Sequence, residues 1–127
     1  MATAQQPPDL NIPHSDATVE VSIIDTTGHI SLPSSLFVQP QLFEYITAPV
    51  YSFLIKHRDD TLIFDLGISK DWENGPTSIV ERVKPYADKL RIDKDVATIL
   101  RENGQALKDI SAIIWSHAHF DHTGDPT

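Results

Sequence analysis

Apolar residues along this chain gather in short runs, set apart by stretches rich in proline, glycine and charge. In the first run, "VEVSIIDTTGHI" at 19–30, Val19, Val21 and Ile23 alternate with more polar neighbours, which predicts a half-buried strand with that side turned to the core. Its "TTG" reads as a turn. Residues 31–49 carry Pro33, Pro40 and Pro49 without clear periodicity, which predicts a long loop. Two β-branched and aromatic runs at 50–55 and 61–66 then flank the polar "KHRDD", a hairpin signal in which Gly67 ends the second strand. Hydrophobicity here is continuous rather than alternating, as expected of a sheet covered on both faces.

Residues 76–91 place Ile79, Val80 and Val83 on one helical side, but Pro85 should break or kink the helix. The segment "DKDVATILRENG" is a better helix, with Asp93 as cap, Val96, Ile99 and Leu100 as apolar face, and Gly104 at the stop. "ISAIIW" at 110–115 predicts a buried strand. Strand, hairpin, helices and strand in this order predict a mixed α/β layer, with helices packed on a sheet.

Ahead of these elements, residues 1–18 are polar and contain Pro7, Pro8 and Pro13, which predicts a flexible arm before an ordered domain over 19–127. A chain of 127 residues is long enough for one small domain and short for two. It contains no cysteine, which excludes disulfides, thiolate metal ligands and a cysteine nucleophile. Eighteen acidic residues against ten basic ones argue against a nucleic-acid partner, which needs clustered Lys and Arg. No run approaches the roughly 18 apolar residues that cross a bilayer, so no membrane association is expected. The start lacks a basic and an apolar signal region, and the expected location is cytoplasmic.

The candidate chemistry lies at "SHAHFDHTGD", residues 116–125, where His117, His119, Asp121 and His122 crowd together. Imidazole nitrogens and carboxylate oxygens ligate zinc, and also iron or manganese. Residues two apart in an extended segment project from one side, so His117 and His119 can reach toward one ion. Asp121 and His122 follow where the backbone reverses, at the kind of strand end where open α/β sheets bind ligands.

"HAHFDH" resembles the H-x-H-x-D-H signature of the metallo-β-lactamase superfamily, and "TLIFDLG" resembles the strand and D-x-G turn that precede it there. "HFDH" followed by Thr123 and Gly124 is most similar to the lactonase-like branch that includes acyl-homoserine lactone hydrolases. The resemblance implies the N-terminal half of an αβ/βα sandwich, α/β in class and α+β in some schemes. It implies two zinc ions, His117 and His119 serving the first, Asp121 and His122 the second. Asp121 would also orient a bridging hydroxide, and Asp65 of the D-x-G turn would stand behind the ligands in a supporting role. The implied reaction is hydrolysis of a small-molecule ester or lactone, with thioesters and lactams chemically equivalent, through a metal-activated hydroxide. One departure stands out: Asp125 takes the place of the second glycine in the family's His-x-Gly-Gly.

Each catalytic metal takes about three protein ligands, so four donors within a few residues leave two sites short. In the family the remaining ligands come from later loops, and His14, His29 and His57 do not match those positions; they read as surface or turn residues. The chain thus reads as a fragment, inactive alone, of a longer hydrolase, with an apolar sheet face and an edge left uncovered. An iron-dependent oxidoreductase of the same superfamily and a non-catalytic truncated interaction protein are the alternatives. Trp115 and Phe120 read as core residues, Asp25 as a turn former, and Asp59 and Asp60 as a solvated hairpin tip. Ser34 and Ser35 have no base to activate them.

Overall fold

The computed structural model describes residue 11, residues 13–36 and residues 38–126. Residues 13–18 are exposed and form no helix or strand; the rest of the expected arm, 1–10 and 12, lies outside the described residues. The fold is a five-stranded sheet in the order β4-β1-β2-β3-β5. Its strands are β1 (Glu20–Pro33), β2 (Tyr45–His57), β3 (Asp60–Phe64), β4 (Leu90–Arg91) and β5 (Ala112–Ile114). All pairings are antiparallel except β3 with β5, which are parallel. The crossover between those two carries helices α1 (Thr77–Val83) and α2 (Val96–Glu102). A one-turn helix α3 (Phe120–Thr123) follows β5. No helix among the described residues is long and apolar enough to cross a membrane.

The hairpin forms where expected, closed by Arg58 and Asp59, with Arg58 in the left-handed region at φ 55°. Its first strand is longer than the sequence suggested. Far from being one long loop, 31–49 contains the end of β1 and the start of β2, paired from Pro33↔Tyr45 to His29↔Pro49. Pro49 is tolerated because β3 pairs only with Phe53–His57, so this part of β2 is an edge on one side.

The "TTG" stretch does not end the strand. It makes a β-bulge between Asp25 and Gly28, inside a strand that continues to Pro33. Asp25 Oδ1 accepts from the Thr27 N–H at 2.9 Å, so turn chemistry bends the strand and leaves it paired. Thr27 Oγ1 in turn accepts the N–H groups of Asp93 and Lys94, at 3.0 and 2.9 Å, and so anchors the approach to α2.

Two expected details of the helices differ. The cap of α2 is Asp95, whose carboxylate accepts from Thr98 N at 2.6 Å; Asp93 is engaged by Arg91 at 2.7 Å instead. α1 stops at Val83 and gives way to 3-10 turns over Lys84–Lys89, as Pro85 demands.

The buried face of β1 is the opposite of the one the alternation suggested. Ile24, Thr26 and Ile30 are buried, whereas Val21 and Ile23 are 53% and 70% exposed. Ile23 and Ile24 are adjacent, so either face satisfies a period of two. Packing decides between them: Ile24 joins Ile63 and Leu66 beneath Val96 and Leu100 of α2. A second cluster of Ile30, Val50 and Ile68 supports Phe120 of α3.

Among the described residues, therefore, helices cover only one face of the sheet, not both. Across the other run the cross-strand partners Ile23, Phe53, Phe64 and Ile114, with Val21, Ile55 and Leu62 in the neighbouring row. The Phe53 and Phe64 rings meet edge to face at 6.3 Å. β5, expected to be buried, is an exposed edge strand, because nothing described packs beyond it. Trp115 at its end is 50% exposed and is not the core residue expected.

Candidate metal-binding site

The ends of β3 and β5 lie side by side, and backbone hydrogen bonds clamp the segments that follow them. Asp65 N donates to Ile114 O at 2.9 Å, Leu66 N to His122 O at 2.8 Å, and Gly124 N to Gly67 O at 2.9 Å. The D-x-G turn is thus laced onto the histidine motif along its length, though some 50 residues separate them.

Two glycines make this lacing possible. Gly67 has φ 68°, and a Cβ there would lie 2.9 Å from Thr26 Cγ2. Gly124 has φ 44°, and its Cβ would lie 2.4 Å from Leu66 Cβ and 2.5 Å from Leu66 O. The turn after the motif thus needs glycine at 124, whereas Asp125 is exposed. Gly124→Ala is expected to destabilise the fold by at least about 2 kcal/mol, combining backbone strain with the clash. A thermal melt within a degree of the parent would contradict this.

Asp65 is 4% exposed and itself holds a left-handed conformation at φ 60°. Its carboxylate accepts from Ser116 N at 2.7 Å, Ser116 Oγ at 2.8 Å and His122 Nδ1 at 2.7 Å. Burial alone would raise its pKa. The Ser116 N–H, the His122 side chain and the Ser116 hydroxyl outweigh burial and lower it below the ordinary carboxylate value.

An ionised Asp65 only accepts, so the proton of a neutral His122 sits on Nδ1 and leaves the Nε2 lone pair free. Ser116 Oγ, having given its hydrogen to Asp65, can accept from His117 Nδ1 at 3.0 Å, which frees Nε2 of His117 in the same way. Ser116 was not singled out in the sequence. Its one signal there is position, a hydroxyl between the last apolar residue of the strand and the first histidine.

The structure brings all four motif residues together. The His117 ring centroid lies 4.4 Å from that of His119 and 4.2 Å from that of His122. Asp121 Oδ2 is 3.4 Å from His122 Nε2. The rings gather without their donor atoms meeting at one point: among the described residues no group of three or more His, Asp or Glu is arranged to hold a metal ion. The donor chemistry fits a divalent cation nonetheless, since two imidazoles present free Nε2 atoms beside a third and a carboxylate.

Other residues fall outside this constellation. His29 Nδ1 lies 3.3 Å from Thr27 O, and His14 and His57 make no contact with the cluster. Asp25 shapes the bulge. Ser34 is fully buried and donates to Phe43 O, a structural role. Asp59 closes the hairpin, and Asp60 lies opposite His57 and within 3.4 Å of Ser111 Oγ.

A cavity of about 840 Å³ opens beside the cluster. His119, Asp121 and His122 are among its lining residues, and Leu32, Ile46 and Val83 contribute apolar walls. Ile79, Ala118 and Phe120 also line a smaller cavity of about 420 Å³.

The model of the metallo-beta-lactamase superfamily matches residues 46–125, from β2 to the end of the motif. The chain belongs to this superfamily. Among its curated relatives, a gamma-lactamase, FDB1, of Fusarium pseudograminearum is 49% identical over 99% of this chain and 33% of its own length. A metallo-hydrolase, mfmC, of Annulohypoxylon moriforme is 43% identical over 97% of this chain and 34% of its own. The chain thus spans about a third of these superfamily relatives. Among solved structures, a quorum-quenching N-acyl homoserine lactone lactonase superposes with a TM-score of 0.61 at 23% identity, covering 85% of this chain and 41% of that one. This likeness shows the fold, a mixed sheet with helices in the arrangement of the metallo-beta-lactamase lactonases.

Proposed function

We propose that this chain is the metal-binding portion of a metal-dependent hydrolase of small esters or lactones. One observation carries the reading: the Asp65–Ser116 pair engages Nδ1 of both His117 and His122 and leaves their Nε2 atoms free. A solvated histidine loop has no use for a buried, ionised carboxylate that orients its rings. The names of the relatives, a gamma-lactamase and a metallo-hydrolase, support the same class of carbonyl chemistry.

His117 and His119 would hold a first ion, Asp121 and His122 a second, with zinc the cation best matched to this nitrogen and oxygen set. When bound, such ions supply Lewis acidity at a substrate carbonyl and water activated near neutral pH. The chain's own residues do the rest. Asp65 fixes the tautomer and plane of His122, and Ser116 does so for His117. Asp121, half-buried on the cavity wall, presents a carboxylate that accepts a hydrogen bond from water entering beside the substrate. The apolar walls hold the body of the substrate and exclude bulk water.

We further propose that the domain beginning at residue 19 is completed by polypeptide beyond these residues, packed on the bare face around Ile23, Phe53 and Phe64 and supplying further ligands. The relatives' threefold greater length and the exposure of that face support this.

The test is elemental analysis of the purified whole gene product, together with its turnover of a panel of lactones, aryl esters and thioesters. Bound zinc with hydrolysis is expected. Stoichiometric iron with oxygen consumption would replace the hydrolase with an oxidoreductase, and a metal-free, inert product would leave only a non-catalytic role.

A further inference from the structure

Arg82 stands in the last turn of α1, and its side chain lines the large cavity together with Ile79 and Val83 of the same helix. It is the only lysine or arginine among the lining residues. Four of the nine other cations are engaged. Arg91 pairs with Asp93 at 2.7 Å, Lys94 with Glu102 at 2.5 Å, Lys70 donates to Asp93 O at 3.0 Å, and Lys89 lies 4.0 Å above the Tyr45 ring. Lys56, Arg58, Lys84, Arg101 and Lys108, like Arg82, have no side-chain hydrogen bond or ion pair among the described residues, so what sets Arg82 apart is its place on the cavity lining.

A cation near a helix C-terminus is favoured by the peptide dipoles. That accounts for a basic residue at this end of α1, and Arg82 is exposed where it lines the cavity, open to a ligand. A guanidinium is suited to a two-pronged bond with a carboxylate. The same cavity is lined by His119, Asp121 and His122. One molecule can therefore meet both.

Building on the hydrolase reading above, we propose that Arg82 is a specificity-determining residue that binds a free carboxylate on the substrate, remote from the carbonyl to be cleaved. The substrate class is an ester or lactone with an apolar body, alkyl or aryl, bearing one such carboxylate. Hydrolysis adds water across the acyl–oxygen bond and leaves a second carboxylate at the histidine end; Arg82 takes no part in that step.

The experiment compares matched substrates in the whole gene product: a phenyl-bearing ester with a pendant carboxylate, and its neutral carboxamide counterpart. Wild type is expected to prefer the acid. Arg82→Gln is expected to lower the ratio of the two kcat/KM values about tenfold, through KM, the size of effect a charge-assisted hydrogen bond gives. Arg82→Lys, which keeps charge without the fork, is expected to fall between. Circular dichroism and melting temperature matching wild type establish that the variants are folded. A ratio unchanged within about twofold in Arg82→Gln overturns the proposal. Should the wild-type product hydrolyse neither compound, the hydrolase reading fails while Arg82 is still decided by NMR titration with 4-phenylbutanoate and 4-phenylbutanamide. Resonances of residues 79–83 that shift for the acid alone, and no longer do so in Arg82→Gln, support the site. Equal response to both ligands, or to neither, overturns it.

Discussion

His117→Ala combined with His119→Ala is expected to strip the whole gene product of its metal and reduce hydrolysis to background, with little loss of stability. Both side chains are exposed, and neither belongs to the two buried clusters that hold the sheet to its helices. Substitution on such a surface alters stability by about 0.5 kcal/mol or less. What it removes is donor capacity: the free Nε2 of His117 and the neighbouring ring of His119. Metal content per chain and lactone turnover are the measurements. A variant that keeps its metal and rate places the centre elsewhere and sinks the ligand assignment.

Asp65→Asn makes a finer cut, because it keeps the shape and changes only what the side chain can accept. Asparagine tolerates the positive φ of this position. Its carbonyl can still accept from Ser116 N, but its NH₂ then faces His122 Nδ1, where a carboxylate oxygen stands now. A donor there makes Nδ1 the acceptor and moves the ring proton to Nε2, the atom proposed to face the metal. Loss of such a supporting partner costs about 10- to 100-fold in metal affinity or activity. Chelator competition on the whole gene product reads this directly, and wild-type affinity in the variant would remove Asp65 from its orienting role. Asp65→Ala is the stability control. It removes the acceptor of the Ser116 N–H and the His122 N–H, which are only part-buried and can turn to water, so the expected cost is at the low end of about 1–3 kcal/mol per unpaired donor.

Much of this protein was legible along the chain. The D-x-G turn and the H-x-H-x-D-H motif carry their chemistry in residue type and spacing, and the superfamily's model covers the same stretch. The hairpin, the break at Pro85 and the helix over residues 96–102 were legible for a related reason. Turn residues, proline and helical periodicity act within a few positions of one another, where the sequence itself is the environment.

The failures have a common cause as well. Which side of β1 is buried could not be read from "SIID", because two adjacent isoleucines fit either face and only the packing of α2 chose Ile24. The bulge at Thr26–Gly28 looked like a chain reversal, since local hydrogen bonds are alike in both; pairing with β2 on either side makes it a bend. Ser116 had no motif of its own. It matters because β3 and β5 run parallel and set their ends together, which places its hydroxyl between Asp65 and His117. Arg82 reaches the same cavity from a helix more than 30 residues upstream of the motif.

The sequence by itself determined the family and the crowding of His117, His119, Asp121 and His122, because both reside in side-chain type and in spacing along one short segment. Tertiary structure alone decided which nitrogens of His117 and His122 remain free, which sheet face is bare and what lines the cavity. Each of these depends on contacts between residues tens of positions apart, and such contacts exist only once the parallel β3–β5 pair has closed.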